Sequence, residues 1–271
     1  MNPDTHVPRD RPTMVVPSLA AIVIPAYNEA CTIGEVARQA TAQLPLVIVV
    51  DDGSTDGTAA KLDGLPVLLL RNKANLGKAA SLRRGAAEAL RRGAAVIVTL
   101  DGDGQHAPED VPLLLEAHRT APGDIIVGAR LHQRDRIPGP RYWANRIANF
   151  WIGLAAGYPI ADSQSGFRLY PARVLNEARV RYDRAHSFVF ESEVLIEAAR
   201  LGVRAICVPV GVTYSSRARA SHFRPVLDIA RIVRMVVWRL ITQRLPSLLR
   251  LRRASPPRQQ NQPQINADKR R

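Results

Sequence analysis

Ala95-Val-Ile-Val-Thr-Leu-Asp-Gly-Asp-Gly-Gln-His106 decides the fold. A short, mostly apolar run stops at two aspartates set between glycines. It reads as a buried strand that delivers acids to its own carboxyl end. The pattern recurs upstream in Ala20-Ala-Ile-Val-Ile-Pro25, Leu46-Val-Ile-Val-Val-Asp-Asp52 and Val67-Leu-Leu-Leu-Arg71. Helical spacing fills the gaps over residues 29–44, 56–62 and 77–92, the last closed by Gly93. Pro108 suits a helix start, with the helix running to Thr120. Strands that are apolar throughout and alternate with helices predict an α/β fold, a mostly parallel twisted sheet flanked by helices. Ligands of such sheets bind beyond the carboxyl ends of the strands. Tyr27, Glu29, Asp51, Asp52, Asp101 and Asp103 all follow strand ends, so the pattern predicts that they converge on one rim.

The second half is less regular. Residues 124–130 and 203–212 read as strands, 142–154 and 188–201 as helices, and 162–170 as a polar loop running into a strand. Residues 226–245 have a helical period. Ile229, Val233, Val236, Val237, Leu240 and Ile241 fall on one side, and Asp228, Arg231, Arg234 and Arg239 on the other.

Charge separates these regions. The chain has 271 residues, 46% of them hydrophobic, enough for a full core, and a formal charge of +14. Residues 1–215 hold 24 Lys and Arg against 22 Asp and Glu, whereas residues 216–271 hold 14 against 2. The positive charge is therefore a C-terminal feature, and its natural partners are phosphates of lipid head groups or nucleic acid. Cys31 and Cys207 are far apart and form no metal motif or disulfide framework, which fits a reducing compartment. Residues 1–18 are polar and proline-rich without the apolar core of a signal peptide, so a cytoplasmic location is expected. No run of about 18 uninterrupted apolar residues predicts a membrane span. The expected organisation is a disordered arm over 1–18, a catalytic domain over 19–221, a basic amphipathic helical segment over 222–253 and a disordered basic tail over 254–271.

Several motifs carry chemistry. Asp101, Asp103 and Gln105 can aim three oxygens at one point if the turn is tight, which the interleaved glycines permit. Hard oxygen donors of this kind suit Mg²⁺ or Mn²⁺ shared with substrate phosphates. The same residues also make an ordinary solvated acidic turn. Gly102, Gly104 and Ala107 match a dinucleotide fingerprint. Against that reading, Asp101 and Asp103 would repel a bare pyrophosphate, and the next strand ends in Arg130 rather than an acid. Asp51 and Asp52 suit hydrogen bonds to a nucleobase or ribose, or an acidic pocket of the response-regulator kind. Ser54 or Thr55 suits the cap of the helix that follows. Lys78 lies at a helix start, where it can neutralise phosphate or merely solvate a surface.

Read together, Val23-Ile-Pro-Ala-Tyr-Asn-Glu29, Val49-Val-Asp-Asp-Gly-Ser54, Asn75-Leu-Gly-Lys78, Asp101-Gly-Asp-Gly-Gln-His106, Val127-Gly-Ala-Arg130, Gln164-Ser-Gly-Phe-Arg168 and Phe190-Glu-Ser-Glu193 resemble the family 2 glycosyltransferases. The resemblance runs over residues 18–221 and is strongest to the dolichol-phosphate mannose synthase and polyprenyl-phosphate glycosyltransferase branch. It implies a GT-A fold and an inverting transfer of one sugar from a GDP- or UDP-linked donor. The acceptor would be a polyprenyl phosphate or another lipid-linked acceptor. By resemblance, Pro25, Tyr27, Glu29 and Asp52 line the base and ribose pocket, and Asp101, Asp103 and Gln105 handle the Mg²⁺ or Mn²⁺ and the diphosphate. Arg130 and Arg141 hold the donor sugar and acceptor phosphate, and Asp162 is the candidate base. Arg217 and Arg219 belong to a basic loop that closes over the diphosphate, with Lys78 adding charge.

The branch has a lysine late in that loop, where this chain has Ser221-His222-Phe223-Arg224-Pro225, so His222 or Arg224 stands in its place. The Q-x-x-R-W motif of processive synthases is absent, as are the C-terminal transmembrane helices of several relatives. The basic helix suits an anionic membrane surface, placing the enzyme peripherally at the inner face, or else packs its apolar side on the core. Two other readings stay open at this level: a nucleotidyltransferase of similar fold, and a basic nucleic-acid module. The tail lacks stacking aromatics, so no specific nucleic acid is expected.

Overall fold

The computed structural model describes residues 19–129, 139–180, 189–211 and 230–237, and only the backbone for residues 139–142. The first half comprises β1 (Ala20–Ala26), α1 (Ile33–Gln43), β2 (Leu46–Asp51), a 3₁₀ turn (Ala59–Leu62), β3 (Leu68–Arg71), α2 (Lys78–Arg91) and β4 (Val96–Thr99). A second 3₁₀ turn (Pro108–Asp110) leads into α3 (Val111–Thr120) and β5 (Ile125–Ala129). Then follow α4 (Gly139–Ala156), β6 (Arg168–Pro171), α5 (Ala172–Glu177), α6 (Phe190–Arg200) and β7 (Ala205–Pro209). Residues 230–237 are also helical.

The strands form one sheet in the order β3-β2-β1-β4-β6-β5-β7. All neighbours run parallel except β6, which is antiparallel to both β4 and β5. The parallel expectation therefore holds apart from this one reversed strand. Because β6 runs backwards, the loop before it arrives at the rim that the other strands leave. Thr99 pairs with Arg168 across that junction. The sheet thus brings residues 162–167 beside Asp101.

Strand periodicity distributes the core onto two faces. Ala21, Val23, Ile48, Val50, Ile97, Ile125 and Val127 belong to one apolar cluster, shared with α2, α4 and α6. Ile22, Ile24, Val47, Val49, Val96, Val98 and Ile126 belong to the other, shared with α1 and α3. Both sets are inaccessible or nearly so, and each Val or Ile among them contributes about 1.5–3 kcal/mol of burial. This is why the strands show no polar alternation. Gly85 lies mid-helix in α2 because a Cβ there would collide with Val23, so only glycine allows α2 this close to β1. Gly93, at φ +85°, ends that helix as its position predicts.

The sequence does not announce α5, and it places the α4 start three residues late. The short α5 follows Pro171 directly, with only Val174 fully buried, which is too little pattern to read. Among the described residues no helix is long and apolar enough to cross a membrane. Of the expected basic helical segment, only residues 230–237 are described; Ile232 and Val236 are buried in the α2/α4/α6 cluster while Arg231 and Arg234 are exposed. The arm over 1–18 and the tail over 254–271 lie outside the described residues.

Candidate active site

The rim starts where β1 ends. Asn28 adopts φ 57°, a left-handed conformation that asparagine tolerates better than most residues. Its N–H donates to Ser54 Oγ (2.9 Å), and its Oδ1 accepts the Thr55 N–H (2.9 Å). The Glu29 N–H donates to Thr58 Oγ1 (2.8 Å). The loops after β1 and β2 are thus joined along their length. Ser54 and Thr55 hold this junction rather than capping the Ala59–Leu62 turn, which has no side-chain cap. Pro25 is half-buried, and Tyr27 is 40% exposed at the edge of the rim.

Asp52 is buried, and its carboxylate is held by three donors. Oδ1 accepts from the Asn72 side chain (2.7 Å) and Leu76 N–H (3.0 Å), and Oδ2 accepts from Gly77 N–H (2.8 Å). An acid at the amino end of α2 suits both the open N–H groups and the helix dipole there. Asp52 therefore fixes the Asn75-Leu-Gly-Lys78 loop. Gly53, at φ +75°, allows that loop to pass, since a Cβ would stand 2.7 Å from the Ala74 carbonyl carbon. Asp51, also buried, accepts from Ser54 N–H (2.9 Å) and Arg71 Nε (3.1 Å).

Lys78 is thereby delivered to the centre. Its ammonium lies 2.7 Å from Asp101 Oδ1 and 2.7 Å from Glu191 Oε1. Loss of water pulls the ammonium toward the neutral form, but the two carboxylates outweigh it and hold Lys78 above its ordinary pKa. Gly166 closes the same spot. A Cβ there would meet Asp101 Oδ2 at 2.5 Å and Lys78 Nζ at 2.8 Å, while its carbonyl accepts from Thr99 Oγ1 (2.8 Å). Four distant parts of the chain thus meet at one ammonium. On the other side of Asp101, the Gly102 carbonyl accepts from Thr32 Oγ1 (2.7 Å) and Asp103 Oδ1 accepts the Gln105 N–H (3.0 Å). His106 is buried against Phe167, with ring centroids 5.4 Å apart.

The reversed loop is built differently. Asp162 Oδ1 accepts the N–H groups of Gln164 (3.0 Å) and Ser165 (3.1 Å). From α4, Asn149 donates to the Ala161 carbonyl (2.7 Å) and accepts from the Ser163 N–H (3.0 Å) and hydroxyl (2.6 Å). Arg168 is fully buried and donates to the carbonyls of Ser165 (2.7 Å), Ser163 (2.8 Å) and Glu191 (2.7 Å). Burial opposes its charge, yet Tyr170 and Glu191 beside it hold the guanidinium above its usual pKa.

The structure places Pro25 near the end of β1, Tyr27, Glu29 and Asp52 on the first two rim loops, Asp101, Asp103 and Gln105 on the third, and Asp162 on the reversed loop. It brings Lys78 into contact with Asp101. Arg130, Arg217 and Arg219 lie outside the described residues, as does the Arg141 side chain, although Arg141 belongs to α4. Reading the sequence missed Asn28, Asn149 and the pairing of Glu191 with Lys78. It also passed over Arg168 as a support, although a charge inside the apolar strand Arg168-Leu-Tyr-Pro171 was the available signal.

Among the described residues no three His, Cys, Asp or Glu side chains gather as a self-sufficient metal cage. The donors present are instead two aspartates and a glutamine on one glycine turn, with a lysine already balancing one of the carboxylates. Such a set fits a divalent cation that takes its remaining oxygens from a bound diphosphate.

Comparison with known proteins agrees with this layout. Residues 21–178 match the model for "Glycosyl transferase family 2". The chain is 35% identical to the undecaprenyl-phosphate mannosyltransferase of Micrococcus luteus over 209 residues, covering 69% of this chain and 81% of that one. It is 30% identical to the polyprenol monophosphomannose synthase of Mycolicibacterium smegmatis over 211 residues, covering 71% and 76%. In fold it is similar to glucosyl-3-phosphoglycerate synthase from Mycobacterium tuberculosis, solved with Mn²⁺, UDP and glucosyl-3-phosphoglycerate. The TM-score is 0.62 at 20% identity, covering 84% of this chain and 80% of that one. The fold is GT-A.

Proposed function

The chain belongs to glycosyl transferase family 2, in the polyprenyl-phosphate glycosyltransferase branch, and from that premise we propose that it moves one sugar from a nucleoside diphosphate donor to a polyprenyl phosphate with inversion. The observation that carries this reading is the meeting at Lys78. There the end of β4, the loop held by Asp52, the reversed loop and the start of α6 meet in one cluster of both charges.

Pro25, Tyr27, Glu29 and Asp52 frame the base and ribose, Asp52 through the loop it holds. Asp101, Asp103 and Gln105 would hold the Mg²⁺ or Mn²⁺, which when bound supplies positive charge to the diphosphate as its bond to the sugar breaks. Lys78 adds to that charge, as would Arg217 and Arg219 from the following loop. A phosphate oxygen of the acceptor forms its bond to the anomeric carbon on the face opposite the diphosphate, and the nucleoside diphosphate departs with the bonding electrons.

The choice of acceptor follows from what the acids are doing. Glu191 is committed to Lys78, and Glu193 is 3% exposed. Neither is placed to remove a proton from an alcohol, so Asp162 alone would have to serve as base. A phosphate acceptor is already ionised near neutral pH and needs none. Asp162 then orients it, while Arg130 and Arg141 offset the repulsion between two anionic substrates. The basic C-terminal segment would hold the enzyme peripherally at the cytoplasmic face of an anionic membrane, where such acceptors reside.

The test is product formation from UDP- and GDP-sugars with polyprenyl phosphate and Mn²⁺. Asp103→Ala is expected to lower turnover by at least about a hundredfold, in line with loss of charge stabilisation at the leaving group. Undiminished, metal-dependent turnover in that variant would refute the assignment.

A further inference from the structure

The two partners of Lys78 differ in standing. Asp101 belongs to the turn that meets the diphosphate in the reading above, and its side chain is 25% exposed. Glu191 is more enclosed, at 13%. Its backbone is fixed from three directions. Phe190 and Ser192 on either side are buried at 2% and 1%, and the Glu191 carbonyl accepts from the buried Arg168 guanidinium at 2.7 Å. As the second residue of α6, Glu191 also gains from the helix dipole, which favours its charged form.

A lysine needs such an anchor. Its ammonium is a point charge on a flexible four-carbon stem, so its direction is set by what it pairs with. The backbone of Lys78 is fixed by the loop that Asp52 holds, but its ammonium is held only at the far end, 2.7 Å from each carboxylate. The fit there is close, since a Cβ on Gly166 would stand 2.8 Å from Nζ.

We propose that Glu191 is a positioning residue: it keeps the Lys78 ammonium at the rim when Asp101 is taken up with the bound nucleoside diphosphate and its cation. The part this plays in catalysis rests on the glycosyl-transfer reading; the hold on Lys78 does not. Charge gives the role a sign. Two carboxylates against one ammonium leave net negative charge where an anion must bind. By its field alone, Glu191 weakens diphosphate binding. Through its hold on Lys78, it strengthens that binding. A general base, in turn, would act whether or not Lys78 is present.

The full chain is titrated calorimetrically with UDP and with GDP, each with Mn²⁺. Glu191→Ala is expected to weaken binding of the nucleotide that the parent takes up about tenfold, the effect of one opposite charge at hydrogen-bond distance. Glu191→Gln keeps an oxygen that accepts from the ammonium, so it should recover part of the loss. It also nearly preserves shape, which covers the case in which Glu191→Ala misfolds. Added to Lys78→Met, Glu191→Ala should cause no further weakening, because nothing remains to be positioned. The kcat for sugar transfer should follow the same cycle.

Unchanged or tighter binding in both single Glu191 variants overturns the inference. So do losses that add independently in the double variant, as a base or a purely structural residue would give. A parent that binds neither nucleotide overturns the inference and the glycosyl-transfer reading together. Lys78-dependent weakening in a parent that transfers no sugar upholds the hold on Lys78 and refutes the glycosyl-transfer reading alone.

Discussion

The two sides of the rim are held by opposite means. Around β1, β2 and β4 the acids sit at the ends of paired parallel strands, and the sheet ladder fixes their positions before any side chain contributes. Around residues 161–166, just before β6, no ladder reaches. The Asp162 loop keeps its shape through side chains: Asp162 itself accepts the Gln164 and Ser165 N–H groups, and Asn149 and Arg168 between them bind the carbonyls of Ala161, Ser163, Ser165 and Glu191. The first side, the proposed donor side, is chiefly a property of the backbone, and the second, the proposed acceptor side, a property of a few buried polar groups. Removing one side chain should therefore cost far more on the second side than on the first.

The largest effect is expected at Arg168. Arg168→Met removes a fully buried guanidinium and strands three carbonyls that have little access to water. Loss of one partner from a buried charged network costs about 3–5 kcal/mol. For a domain of this size that lowers the thermal midpoint by on the order of 10 °C. Arg168→Lys keeps the charge but lacks the planar fork, and should recover only part of the loss. A midpoint shift below about 2 °C in Arg168→Met would mean that the loop is held by something other than this hub.

The same contrast explains what could be read from the sequence. Strand-end acids announce themselves, because an apolar run that stops at Asp51-Asp52 or Asp101 needs only period and punctuation to interpret. The reversed direction of β6 leaves no such mark. Four residues, Arg168-Leu-Tyr-Pro171, are too few to show which way a strand runs. Asn149 looked like one polar residue on a helix, and its role depends on a loop a dozen residues later. Ser54 and Thr55 misled for a similar reason. They have capping chemistry, and the nearest helix was not their partner.

Lys78 joins the two sides, since it leaves α2 on the donor side and pairs with Glu191 on the other. Its pKa is raised in the folded chain, so the pair stabilises the fold fully below the unfolded lysine value of about 10.4 and loses that contribution as pH rises through the higher folded value. Denaturant unfolding of the parent and Lys78→Met should therefore differ by a constant amount from neutrality to about pH 10, with the gap closing in stronger alkali. A gap that instead widened with pH would show that the lysine is held near its neutral form. The two sides of the rim would then not be joined through charge.

The smallest effect is expected on the donor side. Ser54→Ala deletes the hydroxyl that accepts the Asn28 N–H, the contact that supports a left-handed residue in the loop after β1. One neutral hydrogen bond at a half-buried position is worth about 1 kcal/mol, and water can take over part of it. Asn28 also keeps its second link, to the Thr55 N–H, and the Asp52 N–H still donates to the Ala26 carbonyl at 2.8 Å. The variant should thus unfold only slightly earlier and raise KM for the donor about twofold to fivefold with kcat unchanged, as expected when an interaction equal in ground and transition states is weakened. Calorimetric titration with the nucleoside diphosphate checks this directly. If Ser54→Ala instead destabilised the chain as much as Arg168→Met, the donor side would also depend on individual side chains, and the contrast between the two sides would fail.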